Sequence, residues 1–441
     1  MKSGVLSLVL LLAILSCQRK NADYEKEASN PEFLHRSMVR LTDVIIYDVF
    51  SPPVSSRIYA YSTIAAYEAL IPGFPECQSL AGQLNDFQAL PKPEAGQTYC
   101  FPLASVHAFL TVGKALTFSE DSINVFQEEL YAEFEAMGIP EAVYERSMQF
   151  GEAVAKHILA WSGKDNYKQM RTFPKFSLND DPARWQPTPP GYKEAIEPHW
   201  NKLRPFTLDS AAQFAPPPPT PFSTDTTSVF YKEAVDVYEA LNATDKEERI
   251  AIAKFWDDNP FISHHVGHVM FATKKASPGG HWTGIGAIAS RKGNADLMKT
   301  TETYLYITLG MADAFISCWD EKFRSNLVRP ETYINKYIDE DWAPLLQTPP
   351  FPEYTSGHSV ISNAIAVVMT HLYGGDFQYT DTTEEVIGLP ARSFKSFSQA
   401  CDEACISRFY GGIHYMPAIV NGATQGKNVG THILKRVKTR K

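Results

Sequence analysis

The sequence predicts an all-α fold, a bundle-based helical body, on two observations. Apolar residues recur every three to four positions in successive segments, and proline or glycine breaks stand between those segments. "LHRSMVRLTDVIIYDVF" and "VSSRIYAYSTIAAYEAL" are the first two, separated by Ser51-Pro52-Pro53. Helices over 119–137 and 141–162 follow, with Gly138 and Pro140 between them. "TDKEERIAIAKFW" opens with Thr244 and Glu247 spaced as a capping box. The stretch 291–321 reads as one long buried helix, because "YLYITLGMADAFISCW" is apolar on most faces. Helices also fit 358–373, 395–408 and 414–434. From 164 to 223 the periodicity dissolves into Pro, Asn, Asp and Trp, ending in "FAPPPPTPF". So long an irregular stretch wraps a surface or walls a cleft, and its prolines read as an extended strut. No repeat of fixed period marks a solenoid.

The chain has 441 residues, 44% hydrophobic and 21% charged, enough to bury a large core. A formal charge of −9 argues against nucleic acid as a partner, and the one basic run, "KRVKTRK" at the C-terminus, reads as a solvated tail. At the other end, Lys2 precedes an apolar run, Val5 to Leu15, too short to span a membrane. It ends in "ILSC" and resembles a bacterial lipoprotein signal over residues 1–16, with Cys17 as the lipidated first residue of a single domain, 17–441. An ordinary secretory signal is the alternative. Either implies export, to the periplasm or to an outer-membrane anchor of a Gram-negative bacterium, with membrane contact only through Cys17. Export permits disulfides. Of the five other cysteines, Cys77 and Cys100 can pair, and Cys401 and Cys405, four apart on a helix, are either buried thiols or a strained bridge.

Three stretches in the last third carry chemistry. "EKFRSNLVRP" sets Lys322 at the end of the long helix and Arg329 in the loop beyond, its backbone fixed by Pro330. "PEYTSGHSV" opens an apolar helix with Ser356, Gly357 and His358, and such an N-terminus is an anion seat. "SRFYGGIHY" places Arg408 and His414 six apart across Gly411-Gly412. Each has a bland reading: surface cations, an N-cap, a bent loop. Arginine suits multidentate oxyanion recognition, and a histidine aimed at the same centre is a nucleophile or a metal ligand.

In order and spacing, the three stretches resemble the signature shared by vanadium-dependent haloperoxidases and the type 2 phosphatidic acid phosphatase superfamily: K-x6-R-P, P-S-G-H and S-R-x5-H. Thr355 stands where the proline of the second motif is usual. The resemblance implies a helical-bundle body of the haloperoxidase and acid phosphatase type, a signature region of 319–418, and vanadate as cofactor. By the same resemblance, His414 coordinates vanadium, while Lys322, Arg329, Arg408, Ser356 and the Gly357 N–H hold the oxygens. His358 is then the general acid–base, and hydrogen peroxide and halide are the substrates. Three cations offset an oxyanion without metal-binding carboxylates, which agrees.

A phosphatase on the same cradle uses His414 as nucleophile and His358 as proton donor to the leaving group. Four features favour the peroxidase. There are no membrane spans, and a long stretch precedes the signature. Trp319 and Phe351 stand at the halide-pocket positions. Ala418 replaces the aspartate expected four residues after the last histidine of a phosphatase. Asp257, Asp258 and Asp402 are candidate partners of Arg408. "WDEK", with Asp320 beside Trp319, resembles the bacterial iodoperoxidases, which implies iodide as preferred halide, bromide weaker and chloride absent. "HHVGH" (His264, His265, His268) with His281 suggests zinc ligands, but no acid stands between the histidines as a metalloprotease needs. A nutrient-binding lipoprotein accounts for Cys17 and the helices but leaves the signature unexplained.

Overall fold

The computed structural model describes residues 24–441 except 261, 267, 268 and 273, with backbone alone at 263–266 and 269–272. The signal segment, Cys17 and His268 lie outside the described residues. The helices of the first half are α1 (Tyr24–Ala28), α2 (Glu32–Tyr47), α3 (Pro52–Leu70), α4 (Phe101–Ala115), α5 (Glu120–Ala136), α6 (Glu141–Ser162), α7 (Tyr167–Met170), α8 (Val229–Tyr238) and α9 (Lys246–Phe255). Those of the second half are α10 (Pro278–Lys292), α11 (Leu297–Ser325), α12 (Pro330–Tyr337), α13 (Gly357–Tyr373), α14 (Phe397–Tyr410) and α15 (Met416–Arg436). Two small antiparallel hairpins join them: β1 (Ser263–Val266) with β2 (Val269–Ala272), and β3 (Tyr379–Asp381) with β4 (Arg392–Phe394).

Every residue of α3 is buried, and α11 is buried at nearly every position from Leu297 to Lys322. These two helices form the middle of the core: α3 packs on α4 and α11, and α13 packs on α11, α14 and α15. Helices buried all round must satisfy their own polar groups. Ser56 Oγ donates to the Pro53 carbonyl at 2.6 Å, and Thr63 Oγ1 to the Tyr59 carbonyl at 3.0 Å. Asp313, fully buried in α11, accepts the amides of Phe206 and Thr207 at 2.7 and 2.8 Å, and so pins the irregular segment to the core.

The site depends most on how closely α13 and α15 approach. A Cβ on Gly426 would stand 2.1 Å from the Val360 carbonyl oxygen, and one on Gly430 2.6 Å from that of Ala364. Glycines four apart on α15 thus let the backbone of α13 lie against it.

Several expectations change. The stretch 291–321 is two helices: α10 stops at Gly293, Asn294 takes a positive φ of 49°, and Asp296 caps α11 by accepting the Lys299 amide at 2.7 Å. Thr244 and Glu247 form no capping box; Asp245 precedes α9 and its carboxylate pairs with Arg249 at 2.8 Å. His264 and His265 lie on the strand β1 rather than on a helix. The five described cysteines are separate buried thiols; Cys401 and Cys405 sulfurs are 4.0 Å apart, because adjacent helical turns hold them beyond bonding distance. The basic tail is docked rather than solvated: Arg440 grips buried Glu302 through two hydrogen bonds of 2.8 and 2.9 Å. Among the described residues no helix is long and apolar enough to cross a membrane.

Candidate active site

Three buried cations come from separate elements. Lys322 ends the buried part of α11, and its ammonium donates to the carbonyls of Pro352, Glu353 and Thr355 at 3.0, 3.0 and 2.5 Å. Arg329 caps α12, where Pro330 holds it extended; it donates to the carbonyls of Phe351 and Ile413 at 2.9 and 2.8 Å. Arg408 leaves the last turn of α14 and donates to the Trp256 carbonyl at 2.9 Å.

Ser356 caps α13, its Oγ accepting the Ser359 amide at 3.3 Å. The Ser356 amide donates to the Ala418 carbonyl at 3.0 Å, so α15 fixes the start of α13. Thr355, the residue in place of proline, donates to Gln425 at 2.7 Å, a second tie to α15. The loop into α15 carries His414. Gly412 has φ +77°, and a Cβ on Gly411 would stand 2.7 Å from Leu346, so both glycines are needed for this turn.

The tautomer of His414 follows from its neighbours. Arg329 Nη1, which can only donate, lies 3.2 Å from Nε2. That nitrogen therefore holds a lone pair, and Nδ1 carries the proton and donates to Glu353 Oε1 at 2.8 Å. The same oxygen accepts the Tyr415 amide at 2.9 Å. Burial, with Arg329 and Lys322 nearby, pushes His414 well below the usual histidine value, so the ring is neutral. Glu353 supplies the carboxylate that position 418 lacks. Sequence reasoning missed it, and the absence of an aspartate at 418 no longer separates peroxidase from phosphatase.

His358 is the second residue of α13 and stands on the other side. Its Nε2 is 3.4 Å from Asp258 Oδ2, and burial together with Arg408 lowers it to about 4. Of the three aspartates considered for Arg408, none pairs with it. Asp258 turns to His358, Asp257 pairs with Lys275 at 3.0 Å, and Asp402 is exposed.

A narrow cavity opens between these groups, lined by Trp319, Phe351, Gly357, His358, Arg408 and His414, with Phe315, Pro349 and Ile413. Lys322, Arg329 and Ser356 lie behind that wall rather than in it. Trp319 and Phe351 rings are 4.9 Å apart, and the Trp319 indole donates to the Ile196 carbonyl at 3.1 Å, so the irregular stretch does wall this site. Asp320 is not part of the lining: its carboxylate accepts from Asn201 at 3.0 Å and Arg324 at 3.3 Å.

The residues fit a multiply charged oxyanion. Burial, and then mutual repulsion, lowers Lys322 to about 7, while burial lowers Arg329 to about 10 with Arg408 adding to the effect. Arg329 Nη2 and Arg408 Nε are buried with no hydrogen-bond partner. Buried positive charge in excess and idle donors call for an anion.

Comparison with known proteins agrees. The profile of the VCPO second helical-bundle domain matches residues 302–440. A comparison with curated proteins finds no match. Among solved structures, one described as the first bacterial vanadium-dependent iodoperoxidase is 50% identical, covers 93% of this chain and 98% of its own, and superposes with a TM-score of 0.89. Bacterial vanadium-dependent chloroperoxidases share the fold at lower identity. The apo form is 18% identical over 88% of this chain and 95% of its own, TM-score 0.65; the holo form is 17% identical over 96% and 97%, TM-score 0.66. With a cradle built for an oxyanion and half of its residues shared along nearly its whole length, the chain belongs to the vanadium-dependent haloperoxidases.

Proposed function

We propose that this vanadate-dependent haloperoxidase oxidises iodide in preference to bromide and leaves chloride unreacted. In this reading His414 binds vanadium through Nε2, Arg329, Arg408, Ser356 and the Gly357 amide hold its oxygens, and Lys322 adds its charge from behind. One observation carries the halide reading: the aromatic and aliphatic wall of Trp319, Phe351, Phe315, Pro349 and Ile413 beside Arg408. A halide entering there sheds most of its water, which costs least for the largest and least hydrated ion. Iodide is also the easiest to oxidise. The 50% identical neighbour described as an iodoperoxidase supports the same choice.

Bound vanadate supplies a Lewis acid that activates peroxide toward halide without changing oxidation state. His358 accepts the proton that hydrogen peroxide gives up and later returns it to the departing product, so that H2O2, I− and H+ yield HOI and H2O. Asp258 stands behind His358 to support its charged form. Lys322 already spends its protons on three carbonyls, so it acts on the anion as a buried charge. Arg329 donates to the His414 Nε2 lone pair that vanadium would take in its place, and Glu353 keeps the opposite proton on Nδ1. We also propose that the enzyme is exported and tethered by a lipid on Cys17, which mass spectrometry of the mature N-terminal peptide tests.

Steady-state turnover of the three halides by vanadate-loaded protein tests the halide reading. Iodide is expected to be fastest, bromide weaker and chloride at background; efficient chloride oxidation overturns it.

A further inference from the structure

Behind His358 and its partner Asp258 lie two buried groups that the chemistry above does not use, His281 and Asp381. His281, on α10, is 1% exposed, Asp258 3% and Asp381 0%. His281 Nδ1 meets Asp258 Oδ1 at 2.9 Å, and its Nε2 meets Asp381 Oδ2 at 2.9 Å. Two ionised carboxylates at hydrogen-bond distance from both ring nitrogens each accept an N–H, which makes the ring an imidazolium. Trp256 stacks on its face with centroids 4.5 Å apart and planes at 16°, an arrangement that favours a cation. Asp381 is itself fixed, its other oxygen accepting the amide and hydroxyl of Thr383 at 3.0 and 2.7 Å.

The electrostatics agree. Burial opposes the charge of His281, but Asp258 and Asp381 outweigh it and hold the ring well above the usual histidine value. Burial likewise opposes ionisation of Asp258, and His281 outweighs that, holding the carboxyl well below its usual range. The other groups facing the pair are His358 from α13, Arg408 from α14, Glu384 beyond β3, and Asp257 with Lys275. Lys275 is engaged by Asp257 and Arg408 by the Trp256 carbonyl. Among the described residues, His281 is the cation in direct contact with Asp258.

We propose that His281 is a positioning residue for the peroxidase reaction: a fixed buried cation that keeps Asp258 ionised and turned toward His358, and so sets the pH range in which His358 accepts the proton of peroxide. The inference rests on His358 being the acid–base group. Its sign follows from charge. Without the imidazolium, the Asp258–His358 pair binds a proton more tightly and is loaded at higher pH, so it is no longer free to accept one. Asp258, His281 and Glu384 also stand close enough to share a metal ion. The indole on the ring face and the second carboxylate on Nε2 favour the proton.

Two measurements test this on vanadate-loaded protein. In ¹⁵N-histidine NMR of the unaltered enzyme, His281 should keep both N–H protons across neutral pH; a neutral ring, or a nitrogen bound to metal, overturns the proposal. In pH profiles of kcat/KM for iodide, His281→Gln should move the acid limb up by about one unit or more, a tenfold or greater gain in proton affinity. His281→Lys, which restores a cation, should keep the wild-type limb. A folded His281→Gln enzyme with an unmoved limb overturns the proposal. His358→Ala separates the two readings: if it retains turnover, the acid–base assignment itself is wrong, whereas its loss beside an unmoved His281→Gln limb sinks only the role of His281.

Discussion

His414 presents an unprotonated nitrogen to the cavity because two neighbours divide its ring between them, Arg329 on Nε2 and Glu353 on Nδ1. Glu353→Gln keeps the shape and removes the charge that orders the tautomer. Vanadate affinity should fall by roughly 10–100-fold with the fold intact, measured by titrating apo-protein with vanadate; unchanged affinity contradicts the assignment. The cradle residues were legible because Lys322, Arg329, Ser356, Gly357, His358, Arg408 and His414 sit in three short motifs of set spacing. Glu353 was not, although it lies three residues before Ser356, because its partner is 61 residues away. A carboxylate meets such a distant histidine only through the fold. Asp381 and His281, 100 residues apart, were hidden for the same reason. Asp320 shows the opposite error: a neighbour of Trp319 in sequence, it points to Asn201 and Arg324 instead of the cavity.

The helix that opens with Ser356 is placed by α15. Gly422, Gly426 and Gly430 recur every fourth residue, a spacing that puts them on one face of that helix. Gly426→Ala drives a methyl group to 2.1 Å from the Val360 carbonyl, so the helices must part. We predict a loss of about 3 kcal/mol in unfolding free energy and weaker vanadate binding, read by denaturant melts and titration. Wild-type stability in that variant contradicts the close approach. The spacing was present in the sequence but carries meaning only once α13 is known to lie against it. The division of 291–321 into two helices was legible in principle, since Gly293-Asn294 is a stop signal and Asp296 a start. The continuous apolar character on both sides masked it.

The molecule as a whole is acidic, with a formal charge of −9, yet it gathers three buried cations, Lys322, Arg329 and Arg408, at one site. Without its anion this arrangement opposes folding, and the sign for Lys322 can be worked out. Its folded value is depressed to about 7 from 10.5 by burial, so below pH 7 the folded apo-protein carries an unfavourable buried charge. Between those values the unfolded chain holds the proton and the folded one does not, so the stability contributed by this group rises with pH. Vanadate removes the penalty. At a hundredfold excess over its dissociation constant it should stabilise the protein by about 2.7 kcal/mol. At fixed vanadate concentration, the gain in Tm should be largest below pH 7 and shrink toward pH 9; a gain that grows with pH contradicts the charge balance.

All of this rests on one proposed bond, between His414 Nε2 and the central atom of an oxyanion held by Lys322, Arg329 and Arg408. His414→Ala keeps the three cations and removes that bond together with the ring's hydrogen bonds to Arg329 and Glu353. Vanadium content measured together with iodide oxidation, after loading with vanadate and desalting, tests it most directly. The variant should be folded, lose its vanadium and lose turnover. Full vanadium content with wild-type turnover would contradict the account.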